Sequence, residues 1–406
     1  MPRHVILLSL DWIREKDPRT SLGHASILAK LRTVPDLSVT SLVFAVNHPG
    51  FDRTDVLNAL FAAAANHAES DIAIGAYIWN EATVQWLLPR LRAGGFQGRI
   101  ILGGPQISYA PAGVDALYPD ADLFIRGYAE DSMATLLAGD IHRRIGGVSG
   151  RGSDTSSDSG LIELASLPSP YLSGALPITP FVRWETQRGC VFACSFCQHR
   201  ESGARLRQNL LSSHRVADEV DLFCRAGVAD IAVLDPIFHS NPEGPAILRR
   251  FAANQYRGQI SLQCRFEMVD ADFLDACAGL NVRLEFGLQT VQRAEMLAIG
   301  RMNDLGKSGA AIAELHRRGI DFEVTLMYGL PNQTLASFRE SLRWCADRGV
   351  PVLKAWPLML LRGTKLERER DRWGLVENDD EIPVVVRSNS FTEEEWRAMG
   401  ELARGD

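Results

Sequence analysis

Apolar positions in this chain fall into short continuous runs, separated by longer stretches of helical period. Before residue 140 the runs are HVILLSL (4–10), LSVTSLVFA (37–45), DIAIGAY (71–77), RIILGG (99–104) and DLFIRG (122–127). They are rich in Val, Ile and Leu and lack polar alternation, which suits strands buried on both faces. Helix-like stretches such as GHASILAKLRTV and DRTDVLNALFAAAANHA lie between them. Strands alternating with helices predict an α/β unit with a parallel, doubly wound sheet over residues 1–140.

The pattern resumes after residue 180. Strand-like runs occupy 181–189, 230–238, 259–268, 281–290, 321–331 and 351–360, with amphipathic stretches such as RVADEVDLFCRAG and KSGAAIAELHRRG between them. Six β/α units predict a partial (β/α)6 barrel of TIM type over 181–366, with its site at the carboxyl ends of the strands. Residues 141–180 are rich in Gly and Ser and then in Pro, and are expected to form a linker. Residues 367–406 are expected as a helical tail, in which Thr392 and Glu395 have the spacing of a capping box.

Composition changes this picture little. A length of 406 residues exceeds one ordinary core. A net charge of −7 argues against a nucleic-acid partner. No run approaches the roughly 20 apolar residues that span a bilayer, and the apolar N-terminal run leads directly to Asp11 without a cleavage site. A cytoplasmic protein without a membrane partner is expected. Of the seven cysteines, Cys224, Cys264, Cys277 and Cys345 stand singly in apolar patterns and read as buried thiols.

The other three, Cys190, Cys194 and Cys197, lie together in ETQRGCVFACSFCQHR. Three thiolates on one loop can hold three irons of a 4Fe-4S cube and leave the fourth iron open. A structural zinc ion wants four ligands; His199 is available, but no second cysteine pair follows. C-x3-C-x2-C with Phe196 before the last cysteine resembles the signature of the radical S-adenosylmethionine (SAM) superfamily. The resemblance implies SAM chelated on the open iron. Its one-electron cleavage, with an electron from a donor such as flavodoxin or ferredoxin, gives a 5′-deoxyadenosyl radical. It also implies that Phe196 contacts the adenine. Polar residues at the strand ends then become SAM-binding candidates: Arg265, Glu285 and Gln289 (the latter two from EFGLQT), and Arg301, whose fork suits the methionine carboxylate. The GGE element of many members is replaced here by Leu234-Asp235-Pro236.

The order of pieces before residue 140 resembles the Rossmann-like, cobalamin-binding domain that precedes the barrel in one subgroup of that superfamily. The matching pieces are DPRTSLGHASILAKL, ILGGPQ and DLFIRGYAEDSMATLL, and they make Gly103, Gly104 and Gln106 candidate cobalamin contacts. The Asp-x-His-x-x-Gly loop of many cobalamin proteins is missing, and His24 stands in another context. The subgroup implies cobalamin-dependent methylation of an unactivated carbon in a small-molecule or peptide natural-product intermediate. The alternatives are a radical cyclase, rearrangement or oxidation enzyme with a cobalamin-bound or vestigial first domain, and a metal-binding regulatory protein.

Overall fold

The computed structural model describes residues 3–17, 20–139, 144–153, 159–160, 162–199 and 209–405, in two compact units, Met1–Thr179 and Pro180–Asp406. Pro18 and Arg19, which belong to the first cobalamin-like piece, and part of the Gly/Ser-rich stretch lie outside the described residues.

The first unit runs β1 (Arg3–Asp11), α1 (Leu22–Leu31), β2 (Leu37–Ala45), α2 (Arg53–Ala64), β3 (Ser70–Gly75), α3 (Glu81–Ala93), β4 (Ile100–Gly103), α4 (Pro105–Ser108), β5 (Leu123–Ile125), α5 (Glu130–Leu137) and β6 (Val148–Gly150). Strand order is β2-β1-β3-β4-β5-β6, parallel except for β6. Alternation within the apolar runs explains the double winding. Ile6, Leu8, Leu10, Ile72, Ile74, Ile100 and Leu102 pack with Val56, Leu60, Val84 and Leu87 of α2 and α3. Val5, Leu7, Ala73, Ile101 and Ile125 pack on the other face with Leu28 and Leu31 of α1 and Met133 and Leu136 of α5. Both faces demand helices, so both parities of each strand are apolar.

Residues 141–180 depart from the linker expectation. Their described part adds β6 to the sheet edge and buries Leu164, Leu167, Tyr171 and Leu176. An added Cβ at Gly147 would lie 2.2 Å from the nitrogen of Gly160, and one at Gly160 would lie 2.5 Å from the carbonyl of Tyr128. The glycines here permit close backbone packing.

The second unit runs β7 (Phe181–Trp184), β8 (Gln187–Arg188), β9 (Asn209–Leu210), α6 (Ser213–Ala226), β10 (Asp230–Val233), α7 (Gly244–Ala253), β11 (Gln259–Cys264), α8 (Ala271–Cys277), β12 (Asn281–Gln289), α9 (Arg293–Ala298), α10 (Leu305–Arg318), β13 (Asp321–Tyr328), α11 (Leu335–Ala346), β14 (Leu353–Pro357), α12 (Lys365–Arg368), α13 (Arg370–Trp373), β15 (Val376–Glu377), β16 (Val385–Arg387) and α14 (Glu393–Arg404). Its main sheet has the order β14-β13-β12-β11-β10-β7, all parallel and each strand beside its predecessor, a partial (β/α)6 barrel. On β12, Val282, Leu284, Phe286 and Leu288 are buried, while Arg283, Glu285, Gly287 and Gln289 are half-buried. Only the apolar face is sealed; the other stays polar and offers side chains to a ligand.

Trp184 fixes β7. It is 1% exposed, edge-on to Phe223 of α6 and Phe251 of α7 at 5.7 and 5.9 Å, and its indole donates to Glu219 Oε2 at 2.7 Å. Edge-to-face pairs of this kind contribute about 0.5–1.5 kcal/mol each beyond burial. After β14 the chain adds the β15–β16 hairpin before α14, which begins with the capping box between Thr392 and Glu395. Among the described residues no helix is long and apolar enough to cross a membrane.

Candidate active site

The carboxyl ends of β7 and β10 are tied by one buried carboxylate. Asp235 accepts hydrogen bonds from the Thr186 amide at 2.7 Å, the Thr186 hydroxyl at 2.5 Å and the Gln187 amide at 3.3 Å. It is fully buried, and burial pushes its pKa up to about 7 against the pull of these bonds. Asp235 therefore faces the packing, while its neighbours Leu234 and Pro236 line a cavity of about 210 Å³.

Cys190, Cys194 and Cys197 reach this cavity from the loop after β8, together with Phe192, Phe196 and His199. All three are free thiols. The loop is pinned at its centre by Ser195. Its amide donates to the Ile299 carbonyl at 2.8 Å, its hydroxyl to the Ala298 carbonyl at 3.2 Å, and its own carbonyl accepts from the Leu366 amide at 2.8 Å. The Gln198 amide side chain adds a bond to the Arg362 carbonyl at 2.8 Å. Burial pushes the Cys197 thiol up to about 11 and raises that of Cys190, against which the Arg301 and Arg265 guanidiniums pull.

Opposite the thiols stand Gln289 and Arg301. The pairing of β12 with β13 slips between Gly287 and Gln289, and Gln289 takes φ +69°. Such a bulge re-aims a side chain, and here it accompanies an amide that lines the cavity. Gly287 gives that amide room, since an added Cβ would lie 2.7 Å from Gln289 Nε2. Arg301 donates to the Gly287 carbonyl and, at 3.7 Å, to Cys194 Sγ. Gln289 Oε1 and Arg301 Nε are buried without a hydrogen-bond partner among the described residues. Buried polar atoms left unpaired cost about 1–3 kcal/mol each, and an acceptor and a cationic donor lining one cavity suit a ligand that carries both charges.

Two other candidates lie elsewhere. Glu285 accepts from the Gln263 amide and faces Glu323 across the strand pair; burial and then Glu323 raise its pKa. Glu323 is paired with Lys354 at 2.7 Å. Glu285 thus belongs to a charged row across the polar face, and only Gln263 of that row lines the cavity. Arg265 is 6% exposed and stacks its guanidinium 3.8 Å from the ring centroid of Phe192, behind the cavity wall. His239, at the same edge, gives one ring nitrogen to the Arg265 carbonyl at 3.1 Å, and burial lowers its pKa to about 4.

In the first unit, Gly103 and Gly104 close β4. Gly104 has φ +89°, and an added Cβ would lie 2.7 Å from the Ala76 carbonyl, whereas one on Gly103 meets only ordinary contacts. Gln106 is 6% exposed and donates to Glu81, which also accepts from the Tyr118 hydroxyl at 2.5 Å. His24 is 6% exposed and hydrogen-bonded to Ser41 at 2.7 Å.

Phe192 and Gln263 are cavity residues that the sequence did not single out. Phe192 carried a usable signal, since it lies inside the C-x3-C interval. Gln263 carried another, since it stands two positions before Arg265 in the 259–268 run.

Residues 184–345 match the family described as Radical SAM superfamily. The cobalamin-dependent radical SAM methyltransferase TokK of Streptomyces tokunonensis is 24% identical over 307 residues, covering 68% of this chain and 45% of that protein. The radical SAM methyltransferase TsrM of Kitasatospora setae, solved with cobalamin and a [4Fe-4S] cluster bound, superposes with a TM-score of 0.72 at 17% identity, over 98% of this chain and 84% of that one. The cobalamin-dependent SAM radical enzyme OxsB, solved with aqua-cobalamin and SAM, gives 0.73 at 15% identity, over 98% and 66%. The chain spans less than half the length of the curated relatives it matches. With the three-cysteine loop set at the carboxyl edge of a six-stranded partial barrel, residues 184–345 carry the match to the Radical SAM superfamily, and the chain shares the fold of the cobalamin-containing TsrM and OxsB structures.

Proposed function

We propose that this protein is a radical SAM enzyme that methylates an unactivated carbon of a small-molecule or peptide natural-product intermediate, using cobalamin. One observation carries the radical chemistry. Three free thiols share a cavity with an unpartnered amide oxygen and an unpartnered guanidinium nitrogen.

The donor set fits a cube better than a single ion. Among the described residues no three His, Cys, Asp or Glu side chains converge on one metal position, and in a cube each thiolate takes a different iron. Cys190, Cys194 and Cys197 would hold the cluster, whose open iron supplies one-electron reduction of SAM. In this reading Gln289 Oε1 accepts from the methionine ammonium and Arg301 Nε donates to the carboxylate. Phe196 packs on the adenine, and Leu234 and Pro236 keep water from that wall. This assignment supplies a role for Leu234-Asp235-Pro236: the outer two residues shape the cavity while Asp235 ties the strands.

The first unit suits cobalamin by its sheet order, whose reversal between β1 and β3 opens a crevice at the strand ends. The Tyr77–Trp79 stack and the Gly103–Gly104 turn stand at that edge. With His24 buried against Ser41, this unit would hold the corrin without an imidazole ligand from His24. Cobalamin bound there supplies methyl transfer to a carbon radical. An electron donor of flavodoxin or ferredoxin type and a cytoplasmic setting complete the proposal.

The test is oxygen-free reconstitution with iron, sulfide and cobalamin, followed by SAM and dithionite. Expected are about four irons per chain, a bound-corrin visible spectrum and 5′-deoxyadenosine; methyl-labelled SAM then labels the product carbon once substrate is present. Absence of deoxyadenosine in a fully loaded protein overturns the radical reading. Deoxyadenosine with substrate turnover but no methyl label overturns methylation alone.

A further inference from the structure

Arg265 is the most completely held cation at the cavity's edge, and the function above gives it nothing to do. Its side chain is 7% exposed. Nε donates to Glu267 Oε2 at 3.0 Å and Nη2 to the Met302 carbonyl at 2.8 Å. Glu267 is itself anchored, its other oxygen accepting from the Asp304 amide at 2.9 Å. These bonds lie in the guanidinium plane and leave its face free. That face covers Phe192, 3.8 Å from the ring centroid.

Phe192 sits between Cys190 and Cys194, in the three-residue interval whose length sets the spread of two of the sulfurs. The Ser195 bonds pin the loop only after Cys194. Among the described residues no hydrogen bond from the barrel reaches the Val191–Ala193 interval, so the guanidinium–ring stack fastens it together with the close approach of Gly300 to the Ala193 carbonyl. A desolvated cation over an aromatic face is among the stronger contacts of this kind.

We propose that Arg265 is a positioning residue that clamps Phe192, fixing the Cys190–Cys194 half of the cluster loop. This rests on the cluster reading above. Loss of the flat stack and loss of the charge are separable. Arg265→Lys keeps the charge and loses the planar face, Arg265→Met loses both, and Phe192→Leu removes the ring alone.

The experiment uses the full chain in two states. In the metal-free protein, the rate of Cys190 and Cys194 alkylation by iodoacetamide is followed by peptide mass. In the reconstituted protein, iron loss to EDTA is measured. Phe192→Leu and Arg265→Lys are each expected to speed alkylation and iron loss about tenfold, the double variant no more than either, and Phe192→Tyr to match the parent. Additive effects in the double variant, or a Phe192→Leu protein with the parent's alkylation rate, overturn the clamp. Should the Arg265 variants fail to fold, Phe192→Leu against Phe192→Tyr decides the clamp. A parent protein that takes up no cluster refutes the functional reading by itself, while the alkylation rates still judge the clamp.

Discussion

The two units present the same kind of surface, the carboxyl edge of a parallel sheet with glycine turns and polar side chains, yet they treat those side chains differently. In the first unit the polar groups close on one another. Gln106 and Tyr118 share Glu81, Ser9 and the Ser21 amide share Asp11, and Asn80 donates to the carbonyls of Leu10 and Gly75. In the second unit Gln289 Oε1 and Arg301 Nε are left bare. Strand-end position alone therefore says little about chemistry; what separates the edges is whether buried hydrogen-bonding capacity has been spent internally.

The contrast can be broken at several points. The largest effect belongs to Cys194→Ala, which is expected to lose the cluster and reduce deoxyadenosine to background, as read by iron content and product chromatography. Retention of both would remove the basis of the site. Next comes Gln289→Ala, which deletes the bare acceptor and should raise the Kd for SAM about 10- to 100-fold, measured by equilibrium binding to reconstituted protein. Gln106→Ala is its counterpart. It should leave iron content and SAM affinity unchanged and cost about 1–2 kcal/mol of stability in urea unfolding; a loss of SAM affinity there would erase the distinction between the edges.

Gly104→Ala should destabilise the first unit by about 2–3 kcal/mol, through strained φ and the approach to Ala76. Gly103→Ala should cost under about 1 kcal/mol. Equal costs would mean that the turn relaxes. The gentlest effect is one of pH. Asp235 holds its proton up to about pH 7 when folded and to about pH 4 when unfolded. The folded state binds more protons in that window, so this group's stabilisation is greatest below it and falls as pH rises toward 7, by up to about 1.4 kcal/mol per unit. Asp235→Asn should flatten the slope of unfolding free energy between pH 5 and 7; an unchanged slope would assign the pH dependence to other groups.

The alternation of strands and helices and the cysteine motif were legible because both are written locally. Val, Ile and Leu at both parities imply two covered faces, and Cys190, Cys194 and Cys197 need no partner from afar. The capping box at Thr392 was legible for the same reason. What sequence reading could not resolve depends on register. Glu285 stands on the polar face of β12 and Arg265 just past the end of β11, but the amide of Gln263 and the ring of Phe192 reach them first. Residues 141–180 were misjudged because β6 needs only backbone pairing and so carries no apolar run. The division at Thr179 and Pro180 follows from that packing.

Ser195 has a consequence for the order of assembly. Its hydroxyl partner lies 103 positions further along the chain, and the neighbouring Gln198 bond spans 164. A nascent chain that has displayed all three thiols still lacks the struts that hold them apart at a defined spread. Contacts of such long sequence separation form late in folding. On the proposed function, a cluster is delivered to a finished barrel, and iron offered earlier meets three loosely strung thiols instead of a template.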